Sequence, residues 1–327
     1  MGKQVVLSGM RPTGKLHIGH LVGALENWVR LQDEYRCFFV IVDWHALTTD
    51  FRKARDISDN ILEVALDWIS VGIDPSKSTV FVQSQVKDHC ELHLLLSMLT
   101  PMPWVERNPT LKEMVADYNL AGKISYGLMG YPVLQAADIL IYKASRVPVG
   151  EDQVAHVEMA REIARRFNSY FGPVLVEPEE LLTPTPRILG IDGKKMSKSL
   201  NNCIYLSDPP EEIETKVKKM ITDPEKIYKN DPGNPFVCSV FDYHKLFDEA
   251  GTEEVRAGCV AGSLGCVEHK IDLAKKISQH LKPYREKREE LASNKEKLVE
   301  ILMSGAQEAS RTTGKTMGEV REALGLW

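Results

Sequence analysis

Two short runs of the sequence combine glycine with histidine or lysine in a way that suits phosphate chemistry. The first, residues 8–20, reads SGMRPTGKLHIGH and lies between a short apolar run and a long helical pattern. A strand, a glycine-containing turn and a helix start present backbone N–H groups and a positive dipole end to phosphate. His17 and His20 are three residues apart, so both imidazoles are expected on one face of the first helical turn. Gly9 and Gly19 would let a ligand approach the main chain closely.

The second run, residues 193–199, reads GKKMSKS. Lys195 and Lys198 lie three residues apart in a loop that begins with glycine, and a mobile loop of this kind suits closure over a pyrophosphate leaving group. Each run alone has an ordinary explanation, as a strand-turn-helix with two incidental histidines or as a solvated loop. Together they favour an adenylate-forming site.

The elements that would position these runs alternate along the first half of the chain. Strands are predicted at residues 4–8, 38–43 and 79–83. Helices are predicted at residues 16–34, 53–71 and 88–99. Such alternation predicts an α/β fold with a doubly wound parallel sheet, Rossmann-like, and a ligand site at the carboxyl ends of the strands.

The second half of the chain is predicted to be mainly helical. A helical pattern covers residues 134–142, an amphipathic helix after residues 147–153 runs through residue 167, and a basic loop follows at residues 190–199. After about residue 208 the strand signal disappears. We therefore predict a catalytic domain over residues 1–208 and a helical domain over residues 209–327.

Bulk composition is that of a globular protein. The chain has 327 residues, of which 43% are hydrophobic, enough for one large or two ordinary domains. It contains neither an apolar run long enough to span a membrane nor a secretory signal pattern, so we expect a cytoplasmic protein. The formal net charge of -5 argues against a general nucleic-acid coat protein. Residues 270–297 are locally basic, which indicates a solvated helix face or, alternatively, phosphate contact.

The two glycine-containing runs resemble the two signature sequences of class I aminoacyl-tRNA synthetases, HIGH at residues 17–20 and KMSKS at residues 195–199. Residues 42–48, 131–140 and 147–153 are similar to segments of the bacterial-type tryptophanyl-tRNA synthetase family, and the resemblance covers essentially the whole chain. It implies an enzyme that forms tryptophanyl-adenylate from ATP and L-tryptophan and passes the amino acid to tRNA(Trp). It also implies a homodimer and an anticodon-binding role for the helical domain.

The chemistry of that reaction needs positioning and charge rather than a base. An already ionised carboxylate attacks the α-phosphorus of ATP, and pyrophosphate leaves. We expect His17, His20, Lys195 and Lys198 to supply cationic and donor groups, while Mg²⁺ bridges phosphate oxygens.

Further ATP-binding residues follow from the resemblance, with Asp152 near a ribose hydroxyl and the backbone of Ile188 near adenine. The full predicted ATP set is Arg11, Pro12, Thr13, Gly19, His20, Gly150, Glu151, Asp152, Ile188, Lys195, Met196, Ser197, Lys198 and Ser199. Many family members carry Gln at the position of Arg11 and Asn at that of His20, so contacts there differ in detail.

Substrate choice is predicted to depend on Asp138, which lies between Ala137 and Ile139 in an apolar helix. An unpaired carboxylate there would cost several kcal/mol, so it needs a partner, and an indole N–H is one. The ordinary alternative is a carboxylate on the helix surface or at a helix start. By resemblance, Tyr131, Gln153 and His45 receive the ammonium and carboxylate of the substrate.

Three of the six cysteines have a spacing that suggests metal ligands. Cys238, Cys259, Cys266 and His269 resemble a four-cysteine iron–sulfur site of some tryptophanyl-tRNA synthetases, with histidine in the last place. A [4Fe–4S] cluster, a zinc ion and no metal all remain open. Cys37, Cys90 and Cys203 are expected to be ordinary buried thiols.

Three competing hypotheses remain at this level. A tyrosine-specific relative would differ where Asp138 and Gln153 stand. A small-molecule nucleotidylyltransferase would not need the long helical domain. A non-enzymatic RNA-binding relative would have no reason to keep Lys195 and Lys198 beside the histidine motif.

Overall fold

A computed structural model of the chain describes residues 2–49, 51–117, 122, 124–182 and 188–326. The described residues fall into two compact units, which we call the sheet unit and the helical unit. The sheet unit lies within residues 1–14, 24–184 and 294–327. The helical unit lies within residues 15–23 and 185–293.

The sheet unit is built on a five-stranded parallel sheet. Its strands are β1 (Val5–Met10), β2 (Arg36–Ile41), β3 (Ser78–Val82), β4 (Arg146–Val149) and β5 (Glu179–Leu182). They are arranged in the order β3-β2-β1-β4-β5, and each neighbouring pair is parallel. The doubly wound α/β fold is therefore confirmed. The chain leaves β1 for β2 on one side and later returns to β4 on the other, so the topological switch point lies between β1 and β4.

Helices cover this sheet. In the sheet unit they are α2 (Glu26–Glu34), α3 (Asp43–Thr49), α4 (Ile57–Ser70), α5 (Asp88–Leu99), α6 (Met102–Glu106), α7 (Pro109–Asp117), α8 (Tyr126–Ile141), α9 (Val154–Phe171) and α14 (Lys295–Leu324). Helix α5 has its predicted bounds, whereas α8 begins earlier than the pattern indicated.

Aromatic side chains of β2 fix the packing of both faces of the sheet. Phe38 and Phe39 are neighbours in the strand, so they point to opposite faces. The ring of Phe38 lies 4.6 Å from that of Tyr142, and the ring of Phe39 stacks on Trp28 at 4.9 Å. Both phenylalanines have no exposed surface. Coverage on both faces explains why β2 is a continuous apolar run.

The long helix α14 packs on the sheet unit beside β3. A Cβ on Gly305 would lie 1.9 Å from the carbonyl oxygen of Val80, so only glycine permits this approach. Thr313 Oγ1 donates to Asp88 Oδ2 at 2.5 Å. The guanidinium of Arg321 donates two hydrogen bonds to the carboxylate of Glu91.

The helical unit contains the short first helix and the helices between residues 185 and 293. These are α1 (Ile18–His20), α10 (Pro210–Lys218), α11 (Ser239–Phe247), α12 (Thr252–Val260) and α13 (Cys266–Ala292). A π-helical turn, Leu21–Leu25, follows α1. Apolar side chains of α10 and α13, among them Val217, Leu273 and Ile277, are fully buried. None of the helices that the structure describes could span a membrane.

The boundaries of the compact units differ from those of the predicted domains in two places. The turn with His17 and His20 lies in the helical unit although it precedes residue 208, and α14 lies in the sheet unit although it follows that residue. A helical pattern shows that a segment is helical but not which surface it packs against, which explains the difference for α14. The functional division into catalytic and anticodon-binding parts stays a prediction.

Candidate active site

The carboxyl ends of β1 and β4 carry two of the predicted ATP segments. Arg11, Pro12 and Thr13 follow β1, where the N–H of Thr13 donates to the carbonyl oxygen of Arg11 at 2.9 Å. Gly150, Glu151 and Asp152 follow β4, and the last two form a single 3₁₀ turn with Gln153. Since these strands flank the switch point, both segments lie at the edge where doubly wound sheets bind nucleotides.

Gly150, and Gly9 near the end of β1, lie close to other atoms of the protein. A Cβ on Gly150 would lie 2.7 Å from Asp152 Oδ1. A Cβ on Gly9 would lie 2.9 Å from both Cγ1 and the carbonyl oxygen of Val40. Strand packing therefore requires glycine at position 9, and the close approach of a ligand expected there stays a prediction.

A chain of hydrogen bonds joins Tyr131 to the segment after β4. Tyr131 Oη and His156 Nε2 are 2.9 Å apart, and His156 Nδ1 and Gln153 Oε1 are 3.0 Å apart. Gln153 Nε2 donates to Asp152 Oδ2 at 3.1 Å. Because the amide nitrogen is used on Asp152, the oxygen of Gln153 accepts, so His156 donates from Nδ1 and accepts at Nε2.

The pKa values of His156 and Tyr131 agree with this assignment of donors and acceptors. Burial, aided by the charge of His45, lowers the pKa of His156 to about 4, so its ring is neutral at pH 7. Burial raises the pKa of Tyr131 to about 12, against the opposing effect of Arg11. The tyrosine therefore keeps its proton, which it donates to His156, and its oxygen keeps lone pairs for another donor. Sequence reasoning missed His156.

Asp138 is buried in α8 and surrounded by donors from three other elements. Its Oδ2 lies 3.0 Å from His45 Nε2, and its Oδ1 lies 2.6 Å from His89 Nδ1. Gln83 Nε2 donates to both oxygens at 2.8 Å. Burial would raise the pKa of Asp138, but the two histidines outweigh it and hold that pKa below its usual range.

The carboxylate of Asp138 is buried and needs hydrogen-bond donors, as expected, but the protein itself supplies them. Two of them, Gln83 and His89, were missed. A signal was available, because Gln83 directly follows the buried strand β3 at the ligand-binding edge of the sheet.

In the helical unit, His17 and His20 lie side by side. Their ring centroids are 3.8 Å apart, which confirms that they share one face of the turn, and His20 Nδ1 accepts from the N–H of His17 at 3.2 Å. A Cβ on Gly19 would lie 2.9 Å from His17 Nδ1. Gly19 therefore lets the His17 ring fold against the main chain.

Neither histidine is a cation at neutral pH. Burial, followed by the charge of Lys198, lowers the pKa of His17 to about 4. Burial and the charges of His17 and Lys198 lower the pKa of His20 well below its ordinary value. Neutral rings can still donate hydrogen bonds, so in the expected set of cationic and donor groups the histidines would be donors and the lysines would be the cations.

The lysine loop belongs to the same unit as the histidines. Leu189 and Lys195 form an antiparallel bridge around the tip of the loop, where Gly193 has a φ of 72°. A second bridge joins His17 to Tyr205, which follows the loop. The charge of Lys198 is felt by both histidines, so the structure brings the two signature motifs together.

Asn202 organises this loop, and no sequence argument identified it. Its Oδ1 accepts from the N–H of Ser197 at 2.7 Å. Its Nδ2 donates to Asp192 Oδ1 at 2.8 Å and to the carbonyl oxygen of Lys195 at 3.1 Å. A Cβ on Gly190 would lie 2.3 Å from that amide nitrogen, so glycine is needed where the side chain crosses. Met196 is buried, whereas Lys195 and Ser199 are exposed and Ile188, Ser197 and Lys198 are half-buried.

Comparison with known proteins places the chain in a family. The sequence model of the tRNA synthetases class I (W and Y) matches residues 2–282. The chain belongs to this family.

Related class I synthetases match it over nearly their full length. The tryptophan--tRNA ligase of Thermotoga maritima is 47% identical over 98% of this chain and 99% of its own. That of Aquifex aeolicus is 44% identical over 98% of this chain and 99% of its own. The tryptophanyl-tRNA synthetase of Campylobacter jejuni, solved with ADP and tryptophan, is 36% identical with a TM-score of 0.89, covering 99% of this chain and 100% of its own.

The predicted metal site of this synthetase is not assembled. His269 turns to His244, with 3.2 Å between Nε2 and Nδ1. Among the described residues, no group of three or more His, Cys, Asp or Glu side chains could hold a metal ion. Cys238, Cys259, Cys266 and His269 are therefore not grouped as metal ligands in the part of the chain that the structure describes, although burial, and then the charges of Cys238 and Cys266, help to raise the pKa of Cys259.

The cysteines differ in their surroundings. The thiol of Cys238 is buried and Cys259 and Cys266 are partly exposed. Cys266 and His269 line a cavity of about 1260 Å³ in the helical unit. Of the cysteines predicted to be ordinary buried thiols, Cys37 and Cys203 are buried, whereas Cys90 is exposed.

Proposed function

We propose that the chain is a tryptophan–tRNA ligase, which activates L-tryptophan with ATP and transfers it to tRNA(Trp). The observation that carries the proposal is the buried, ionised Asp138 in a chain that also holds both class I signature motifs. Its high-identity relatives are tryptophan--tRNA ligases over nearly the full chain, which supports the same substrate.

The phosphate chemistry of this proposal rests on the two motifs. Lys195 and Lys198 would neutralise charge on the leaving pyrophosphate, and the neutral rings of His17 and His20 would donate hydrogen bonds to phosphate oxygens. These side chains are donors that suit phosphate, so Mg²⁺ would be held by phosphate oxygens, where it would offset their charge. The bond from the substrate carboxylate to the α-phosphorus forms as the bond to pyrophosphate breaks.

The nucleotide would lie at the switch point of the sheet. We assign its contacts in the sheet unit to the residues after β1 and the residues after β4, and the backbone of Ile188 and the signature motifs stay predicted ATP-binding residues of the helical unit. Arg11 would place a fixed charge near the phosphates, and Asp152 would accept from a ribose hydroxyl. The relative from Campylobacter jejuni, solved with ADP and tryptophan, supports a shared site for a nucleotide and the amino acid.

The amino acid would be recognised at both ends. The indole N–H would donate to Asp138, which rejects side chains that lack such a donor. The oxygen of Tyr131 has lone pairs for the substrate ammonium because its proton is already donated to His156. Gln153 would act mainly by holding His156, and His45 would face the substrate from α3.

Further parts of the proposal concern partners and location. We propose that residues 209–327 contain the tRNA anticodon-binding surface, that the enzyme acts as a homodimer and that it works in the cytoplasm, where aminoacyl-tRNA is consumed. Sedimentation of the purified enzyme with and without tRNA(Trp) tests the first two points. Binding of an iron–sulfur cluster or zinc by the cysteines stays a prediction from spacing, tested by metal analysis of anaerobically purified protein.

Exchange of labelled pyrophosphate into ATP tests the activity directly. We expect exchange that depends on tryptophan and an aminoacylated tRNA(Trp) product. The family also contains tyrosine enzymes, so tyrosine is the matched control. Exchange with tyrosine alone would refute the substrate, and exchange with neither would refute the enzyme.

A further inference from the structure

Three donors of the protein hold the carboxylate of Asp138. An ionised carboxylate offers about four acceptor positions, and the donors to it are His45, His89 and the amide nitrogen of Gln83, which is shared between both oxygens. The side chain of Asp138 is 4% exposed. Because these donors leave so little of the carboxylate exposed, we expect an indole N–H to reach it by replacing one of them.

His45 is the donor that can be replaced. Its side chain is 9% exposed, whereas that of His89 is 0% exposed, and Gln83 is also fully buried. The amide of Gln83 cannot turn over, since its oxygen would then face the carboxylate. The arriving substrate would thus take the place of His45, while the two deeper donors keep the carboxylate in position.

His89 is fixed from both sides of its ring. Nδ1 donates to Asp138 Oδ1, because the carboxylate only accepts, and Nε2 lies 2.8 Å from Tyr142 Oη. The backbone is fixed as well, because His89 is the second residue of α5 and Asp88 before it accepts from Thr313 of α14. The position of the donor atom, His89 Nδ1, is therefore fixed.

We infer that His89 is a positioning residue for substrate selection: it holds one oxygen of Asp138 so that the other faces the indole N–H. This inference rests on the proposed role of Asp138. It assigns no contact between His89 and the substrate. We therefore expect that loss of His89 weakens the discrimination between substrates with and without an indole N–H. It should not lower kcat/KM for all amino acids by the same factor.

The test compares tryptophan with β-(benzothiophen-3-yl)alanine, which has the same shape but sulfur in place of N–H. The quantity measured is the ratio of the two kcat/KM values in pyrophosphate exchange. In the unaltered enzyme we expect a ratio of about ten or more, the equivalent of one hydrogen bond to a charged group. His89→Leu is expected to bring the ratio close to one, and His89→Asn, whose amide nitrogen can replace Nδ1, to restore most of it.

Two further variants keep the test decisive. Tyr142→Phe removes the second partner of His89 and is expected to lower the ratio by about threefold, the equivalent of a weak neutral hydrogen bond. If His89→Leu does not fold, Tyr142→Phe tests the inference by itself, because an unchanged ratio of the two kcat/KM values in this variant contradicts the inference. Cys90→Ala, a change at the exposed neighbour of His89, is the control and should keep the ratio of the unaltered enzyme.

The outcomes separate this inference from the proposed function. If His89→Leu lowers both kcat/KM values by the same factor, the role of His89 is structural and the inference is wrong. If Asp138→Asn keeps the ratio of the unaltered enzyme, the proposed indole contact itself is wrong. A loss of discrimination in both Asp138→Asn and His89→Leu, with rescue by His89→Asn, supports both.

Discussion

The side-chain amide of Asn202 donates a hydrogen bond to the carbonyl oxygen of Lys195 over 3.1 Å. The same side chain accepts from Ser197, so one residue outside the signature motif fixes the backbone on both sides of Met196. Gly190 leaves the space through which the side chain passes. The backbone geometry of the lysine loop therefore depends on Asn202 and Gly190.

We predict that Asn202→Ala lowers kcat for pyrophosphate exchange by about tenfold or more, because a lysine displaced by about 1 Å loses much of its effect on the leaving group. Gly190→Ala should act in the same direction, since its Cβ collides with the Asn202 amide. Exchange kinetics at saturating ATP measure the effect. Lys194→Ala, which alters an exposed lysine of the same loop, is the control and should retain kcat. Full activity of both Asn202→Ala and Gly190→Ala would contradict the assignment.

Tyr131 offers a second prediction. Tyr131→Phe removes the oxygen proposed to accept the substrate ammonium, and a hydrogen bond to a charged group is worth about 1.5–3 kcal/mol. We expect KM for tryptophan to rise by at least about tenfold, with a smaller change in KM for ATP. The control is Tyr126→Phe on the same helix, where the tyrosine is 81% exposed. Equal KM values in the two variants would remove Tyr131 from the site.

Some features of this molecule can be predicted from sequence because they are local. The histidine and lysine motifs are contiguous, and the strands β1 to β3 are apolar runs. Strands β4 and β5 were missed. The first has only four residues and contains Pro148, and the second contains Glu179 and Glu180, so neither has the composition of a buried strand.

Contacts over long sequence distances account for the other differences. The partners of Asp138 come from positions 49, 55 and 93 residues away, and no periodicity encodes such pairings. The same holds for His269, whose spacing resembled that of a metal ligand but whose ring pairs with His244. Spacing along the chain gives candidate ligands, whereas only the fold decides which way each side chain faces.

A pH prediction follows from three buried histidines. The pKa values of His17, His156 and His269 are each lowered to about 4, chiefly by burial. In the unfolded chain each titrates near 6.5, so between pH 6.5 and 4 the unfolded state holds more protons than the folded state. The free energy of unfolding should therefore fall as the pH falls through this window, by up to about 1.4 kcal/mol per pH unit for each histidine.

Nuclear magnetic resonance titration of labelled imidazoles measures these groups one by one in the folded protein. We expect midpoints near 4 for the resonances that disappear in His17→Asn and His156→Asn. The exchange reaction should accordingly show no loss of rate near pH 6.5 from His17. A midpoint at 6.5 for the His17 resonance would contradict its burial and restore the histidine as a possible cation.

The contact between α14 and β3 gives a prediction on stability. Gly305→Ala places a Cβ 1.9 Å from the carbonyl oxygen of Val80, so the helix must move away from the strand. Overpacking of this kind costs about 1–3 kcal/mol or more. Thermal unfolding followed by circular dichroism should show a clearly lower midpoint.

The same helix provides the matched control. A Cβ on Gly314 meets nothing within 4 Å, and alanine in a helix interior is better than glycine by about 0.5–1 kcal/mol. Gly314→Ala should therefore raise the unfolding midpoint slightly. Because Asp88 joins α14 to the start of α5, Gly305→Ala should also raise KM for tryptophan, whereas Gly314→Ala should not. Equal midpoints for the two variants would mean that α14 does not pack on β3 through Gly305.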